Sequence, residues 1–209
     1  MATLIKNLTP TWTGSEFTNS SRDGTYKSKW SSIYEDYIII GGNNITVDSE
    51  QGAGAAFIYK KVDSEWLQQA KLTQDNPGEN DYYGESVAIN NQYAIVGAPM
   101  ADSIGAVYVY SKNGTNWDIH AKLTRTTVAF GFGENVSINE TDNTLVVTVA
   151  DFSTSGRVSI FTVSGDSWSL QTEIYDSSFS VLSCSICEEM IVLGGPVSPF
   201  GTGGSGQDY

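Results

Sequence analysis

The sequence predicts an all-β protein assembled from repeated units of four short antiparallel strands, and three observations carry that expectation. Trp66, Trp117 and Trp168 stand 51 residues apart. Gly54, Gly105 and Gly156, each opening an apolar run, keep the same interval, and one period held in two registers is a repeat. Segments of four to six residues rich in Val, Ile, Tyr and Phe recur between Gly, Asn, Asp, Ser and Pro, and no window holds a sustained helical apolar stripe. Four strands in about 50 residues are the arithmetic of a β-propeller-type blade. The 209 residues hold three and a half to four such blades.

Taken in order, residues 1–29 match the repeat poorly. Their Ser, Thr, Asn and Gly content, in Thr11–Ser15 and Asn19–Gly24, reads as an N-terminal arm, with Leu4, Ile5 and Leu8 as a closing or edge strand. Residues 30–209 carry the repeats, in units of about 30–73, 83–124, 132–175 and 179–209, the last incomplete. One strand type is Gly54–Tyr59, Gly105–Tyr110 and Gly156–Phe161. A polar turn leads from it to a tryptophan strand, Trp66–Leu72, Trp117–Leu123 and Trp168–Ile174, whose seventh position stays aliphatic. A third type is Tyr83–Ile89, matched by Phe132–Ile138 and loosely by Phe179–Ile186. The fourth is Ala94–Pro99, matched by Ile191–Pro196, Ile38–Gly42 and Leu145–Ala150. Runs such as Ala94-Ile95-Val96 are apolar at every position, which suits sheets covered on both faces.

Tyr83-Gly84, Ser86–Ile89, Val96–Pro99, Gly105–Tyr108 and Trp117 with Lys122-Leu123 together resemble the FG-GAP repeat of integrin-α-type propellers and of many bacterial and algal proteins. The resemblance covers roughly residues 30–209. It is most complete in the second unit and degraded at the aromatic-Gly position of the first and fourth, where Ser28 and Val181 fall near the expected glycine. It implies propeller blades and, in family members, adhesion or ligand recognition without catalysis. The motif residues also have backbone explanations: Gly84 and Gly133 precede strands where a tight turn is wanted, Gly97 and Gly194 end strands, and Pro99 and Pro196 stop the ladder. None is assigned a functional role.

Gly206–Tyr209 falls in the register of Gly105–Tyr108, so the chain stops inside a strand of the fourth repeat. An open stack would leave an apolar face exposed. Closure is expected from further sequence, from self-association, or from a compact four-bladed ring completed by residues 1–30.

The resemblance implies a calcium loop in some blades, yet the corresponding turns are poor in carboxylates. They read Asn90-Asn-Gln92, Asn139–Asn143 and Glu35-Asp36, short of the oxygen set a calcium ion requires. Carboxylates gather instead at Asp75–Asp81 and Asp48–Glu50, which read as solvated acidic turns or a rim for a basic partner. Cys184 and Cys187 have a metal or redox spacing, but four zinc ligands are not available with one histidine. On a strand the two cysteines face opposite ways, and Cys184 aligns with the core position of Val87. His120 aligns with Gln69 and reads as an exposed spectator. No catalytic, cofactor-binding or metal residue is assigned, and no cofactor.

With 24 Asp and Glu against 11 Lys and Arg, the net charge is −13, which disfavours nucleic acid and anionic lipid as partners. No apolar run is long enough for membrane insertion. Six Asn-x-Ser/Thr sequons, at Asn7, Asn19, Asn44, Asn113, Asn135 and Asn139, favour an extracellular or particle-surface setting only slightly. The leading expectation is a non-catalytic scaffold for protein or glycan recognition within a larger surface protein or assembly, with Trp12 and Trp30 as first binding aromatics and packing at the open end of the stack explaining Trp30 at least as well. The alternatives are a structural subunit of a viral or cell-surface layer, which exposed blade faces would build, and a carbohydrate-active enzyme, which would need two loop carboxylates facing each other.

Overall fold

The computed structural model describes residues 30–125, 131–150, 156–176, 181 and 183–195. The expected arm 1–29, Trp12, Ser28, Asn7, Asn19, Pro196 and Gly206–Tyr209 lie outside them. The described chain is nearly all β. The first sheet contains β1 (Ser31–Tyr34), β2 (Tyr37–Gly42), β3 (Ala55–Val62) and β4 (Glu65–Leu72). The second contains β5 (Ser86–Ile89), β6 (Tyr93–Ala98), β7 (Ala106–Asn113) and β8 (Asn116–Leu123). The third contains β9 (Phe132–Ile138), β10 (Leu145–Ala150), β11 (Gly156–Ser164) and β12 (Ser167–Asp176). A final hairpin pairs β13 (Ser183–Cys187) with β14 (Met190–Gly194).

Within each four-strand sheet the order follows the sequence, and every pairing is antiparallel. These are blades of the propeller type. One residue in each outer strand has no partner in the ladder, because the register shifts after Ile58, Val109 and Ile160. The unmatched residues are Gln69, His120 and Gln171. The bulges fall at the same repeat position, which marks them as features of the blade and not local defects.

Apolar residues on both strand faces have a direct packing reason. Ala94 and Val96 of β6 join Ile39, Ile58, Tyr83 and Tyr108 in the core between the first and second sheets. Tyr93 and Ile95 of the same strand join Phe132, Leu145, Val147 and Phe161 between the second and third. Val146 and Val158 then pack against Val181, Ile186 and the half-buried Leu193 of the last hairpin. Each large aliphatic chain buried this way stabilises the stack by roughly 1.5–3 kcal/mol. Val181 replaces the expected glycine with a side chain that belongs to this last core.

The outer face of the first sheet is not bare. Phe57, Tyr59 and Trp66 on that face form a core with Ile45 and Val47, which lie in the β2–β3 loop. At the other end of the stack Met190 and Val192 are 66% and 58% exposed.

Successive sheets also approach closely where β6 ends. A Cβ on Gly97 would lie 2.1 Å from the Gly133 carbonyl oxygen, and Gly133 itself holds φ +95. Both glycines are set by backbone contact. Gly114, with φ +62, has nothing within 4 Å of the place a Cβ would take. Gly97→Ala is therefore expected to cost about 1–3 kcal/mol through overpacking, and Gly114→Ala about 1 kcal/mol from its left-handed backbone alone. Denaturant unfolding of both variants checks this, and equal losses would contradict the close approach.

Candidate recognition rim and the contacts beneath it

The β2–β3 loops and the connections between sheets meet at one rim. Tyr83 N–H donates to the Ala53 carbonyl at 3.0 Å, Tyr82 N–H to Gly52 at 2.9 Å and Asn80 N–H to Gln51 at 2.8 Å, which lays loop 73–85 along loop 43–54. Phe132 N–H donates to the Ile104 carbonyl at 3.3 Å and repeats the Tyr83–Ala53 contact one sheet on. This rim gathers Asp48, Glu50, Asp75, Glu79, Asp81 and Asp102. The structure thus brings together the two acidic segments, Asp48–Glu50 and Asp75–Asp81, that the sequence singled out separately.

Left-handed backbone concentrates on the same rim, at Asp48, Ser49, Asn80, Tyr82, Asp102 and Ser103. Asp and Asn tolerate this region, but a bulky side chain there is strained. Tyr82, at φ 54, is that case. It is half-buried and sits between Asp81 and the core residue Tyr83. Strain of this kind persists where the surroundings over-determine the backbone, commonly at functional sites. Sequence alone did not single out Tyr82, because its φ depends on the loop that Gly52 anchors. Trp30, expected as a binding aromatic, packs half-buried against the core between the first two sheets.

A buried polar spine supports the rim. Tyr108 OH donates to Gln74 Oε1 at 2.7 Å, and Gln74 Nε2 donates to Asp81 Oδ2 at 3.1 Å. Tyr83 OH donates to Tyr110 OH at 2.7 Å, which donates onward to the Thr73 carbonyl at 3.1 Å. Burial pushes the Tyr110 hydroxyl up to about 12 and the Tyr83 hydroxyl well above its ordinary value, with Tyr110 adding to the effect. Both stay neutral donors. Burial works to lower the Lys122 ammonium, but the Asp102 carboxylate and the Tyr108 hydroxyl outweigh it and hold the group above its usual range. The next sheet swaps the chemistry at equivalent positions. Arg125, Ser159 and Glu173 stand 51 residues after Gln74, Tyr108 and Lys122, with Arg125 Nη2 2.9 Å from Glu173 Oε1 and Ser159 Oγ donating to that oxygen at 3.1 Å.

The opposite rim holds the turns where the resemblance implied calcium loops. Asn90 Oδ1 accepts from Gln92 N–H at 2.9 Å and Tyr93 N–H at 2.8 Å. Its Nδ2 reaches the next sheet, donating to the Asn139 carbonyl at 2.9 Å and Asn143 Oδ1 at 2.8 Å. Asn139 does the same one repeat later: its Oδ1 accepts from Thr141 N–H at 3.1 Å, and its Nδ2 donates to the Glu188 carbonyl at 2.5 Å. Carboxamides occupied in this way act as clamps between sheets. The Glu35-Asp36 turn contributes a strand contact, Lys61 N–H to the Asp36 carbonyl at 2.8 Å. Asn135 and Asn139 are buried, whereas Asn44 and Asn113 are exposed.

Cys184 is half-buried against the third sheet, its Sγ 3.9 Å from the Val146 carbonyl, and burial pushes its thiol up to about 12. Cys187 is exposed, and both are free. His120 corrects the expectation of an exposed spectator. It is half-buried, its ring 5.6 Å from Tyr93, because the bulge turns it toward the third sheet. Among the described residues no group of three or more His, Cys, Asp or Glu is placed to hold a metal.

Residues 66–110 match the family model of the FG-GAP repeat. This segment is an FG-GAP repeat. The FG-GAP frame runs from the outer strand β4 of one sheet through β5, β6 and most of β7 of the next, so it encloses loop 73–85 and the hydrogen bonds of the polar spine from Thr73 to Tyr110. It is a β-propeller-type scaffold. No curated protein matches the chain.

Asn139→Ala removes a buried clamp and is expected to cost roughly 1–3 kcal/mol. The exposed Asn91→Ala should stay within about 0.5 kcal/mol. Denaturant midpoints of the two variants compare them directly, and a neutral Asn139→Ala would rule the clamp out.

Proposed function

We propose that the chain is a non-catalytic recognition scaffold, part of a larger surface protein or assembly, whose FG-GAP rim binds a protein or glycan partner. The observation that carries the reading is the strained, half-buried Tyr82 within the acidic rim formed by loops 43–54 and 73–85. Loops held on rigid repeats are where such binding is usually built. An aromatic ring flanked by carboxylates suits a sugar face, whose hydroxyls donate to Asp48 or Asp81, or a basic protein surface. The net charge of −13 argues against nucleic acid as partner. No described helix is long and apolar enough to cross a membrane.

A second reading, a structural subunit locked into a layer, is favoured by one feature: the exposed Met190 and Val192 on the last hairpin. That reading predicts binding through a sheet face and indifference to the rim.

The test starts by screening the purified chain against immobilised glycans and basic protein surfaces, then repeats the positive interaction with Tyr82→Gly. Glycine relieves the left-handed strain, so stability should stay within about 1 kcal/mol, while affinity falls roughly tenfold or more. Binding unchanged by Tyr82→Gly and by Asp81→Asn would reject the rim.

A further inference from the structure

The bulge residues Gln69 and His120 each face the following sheet, and the two interfaces treat them differently. Between the first and second sheets the Trp117 indole Nε1 donates to Gln69 Oε1 at 3.2 Å. The same indole stands edge-on to Tyr37, with ring centroids 5.8 Å apart at 79°. One repeat later Trp168 stands edge-on to Tyr93 at 5.2 Å and 78°. The bulge residue there is His120, packed on the same Tyr93 ring. Ring geometry is shared by the two interfaces, and only the amide has become an imidazole.

The hydrogen bond has not carried over. Trp168 Nε1 and His120 Nε2 are both buried, and neither has a hydrogen-bond partner. An indole donor and an imidazole nitrogen therefore lie desolvated against one tyrosine, at the positions that hold a bonded pair one repeat earlier. Leaving both unmade is costly, and a hydrogen bond between them, of the kind Trp117 makes to Gln69, would satisfy both.

We propose that His120 and Trp168 form a pH-sensitive latch between the second and third sheets. It is closed when the neutral imidazole accepts the Trp168 N–H at Nε2. It opens when a proton takes up that lone pair and leaves two donors facing each other. Imidazole is the side chain that ordinarily changes charge between about pH 5 and 8, and His120 is the one histidine of the chain. The Gln69 amide has no such transition, so the first interface is indifferent to acidification over that range.

The groups around the latch leave the imidazole as the variable charge. Tyr93 faces it from β6, and burial, with Asp166 adding, raises its hydroxyl above the ordinary value, so it stays neutral. Asp166 approaches from the β11–β12 turn, and Asp118 and Lys122 flank His120 on β8. Carboxylates and ammonium alike keep their charge over this window. A folded state that needs the neutral imidazole is favoured above the imidazole range. Stability is lost as pH falls through it.

Denaturant unfolding of the full chain at about pH 7.5 and 5.5, beside His120→Gln, tests the latch. The unmutated chain should lose roughly three- to tenfold in its folding constant on acidification beyond whatever loss His120→Gln shows. Equal losses in the two chains overturn the proposal. The five tryptophans offer a readout without any variant, through their indole N–H resonances. One of these is expected to move with the imidazole midpoint, and a set that stays fixed across the range overturns the latch as well.

Discussion

A four-strand sheet buried on both faces cannot stand alone, and the rest of the structure follows from that constraint. Every residue of β6 is buried, half of them against the sheet before and half against the sheet after. Neither face could be solvated without exposing branched aliphatic and aromatic side chains. Stability is therefore a property of interfaces. Each sheet contributes through its neighbours, in the near-additive way of stacked repeats, and a change in one interface is felt first by the two sheets that share it.

Three kinds of contact hold each interface, and they divide it by position. At the loop rim the backbone itself makes contact, as where Gly97 meets Gly133 and Gly41 meets Gly84. In the middle the contact is apolar. At the opposite rim it is polar near β5 and β9, through the Asn90 and Asn139 clamps, and aromatic at the outer strands, through the Trp117–Tyr37 and Trp168–Tyr93 pairs. The division follows from solvation. Buried backbone and carboxamide groups near each rim must find partners across the gap, whereas the middle needs only shape.

The strand period was legible because it rests on side chains that are large, apolar and repeated: tryptophans at 66, 117 and 168 announce the outer strands without any knowledge of their neighbours. Cys184 was legible for the same reason, through its register with Val87. What sequence did not reveal depends on backbone conformation or on a second sheet. Tyr82 looks like any loop tyrosine until its φ is known. His120 looks exposed by analogy with Gln69, yet a bulge and the approach of Tyr93 bury it by half. The asparagines of the β5–β6 and β9–β10 turns reveal by composition only that carboxylates are few. Their role as clamps is written in another sheet, 49 residues away. Trp30 reads equally as a binding or a packing aromatic, because nothing in sequence distinguishes an aromatic that recognises a partner from one that packs, and the structure packs it.

The interfaces also give the stack a direction, which separates its two surfaces. Each joins unlike faces: the aromatic face of one sheet, with Tyr108, Tyr110 and Trp117, receives Tyr37, Ile39 and Ile58 of the sheet before it. By strand register Met190 occupies the place of Tyr37 and Tyr93, and Val192 that of Ile39, Ile95 and Val146. All five of those counterparts are buried by a following sheet. The exposed pair on the last hairpin thus has the composition of the faces that pack against a neighbouring sheet, while the acidic rim is built around Asp48, Glu50, Asp75, Glu79, Asp81 and Asp102. The stacking face and the acidic rim present different residues and different forces, so contact at one does not occupy the other.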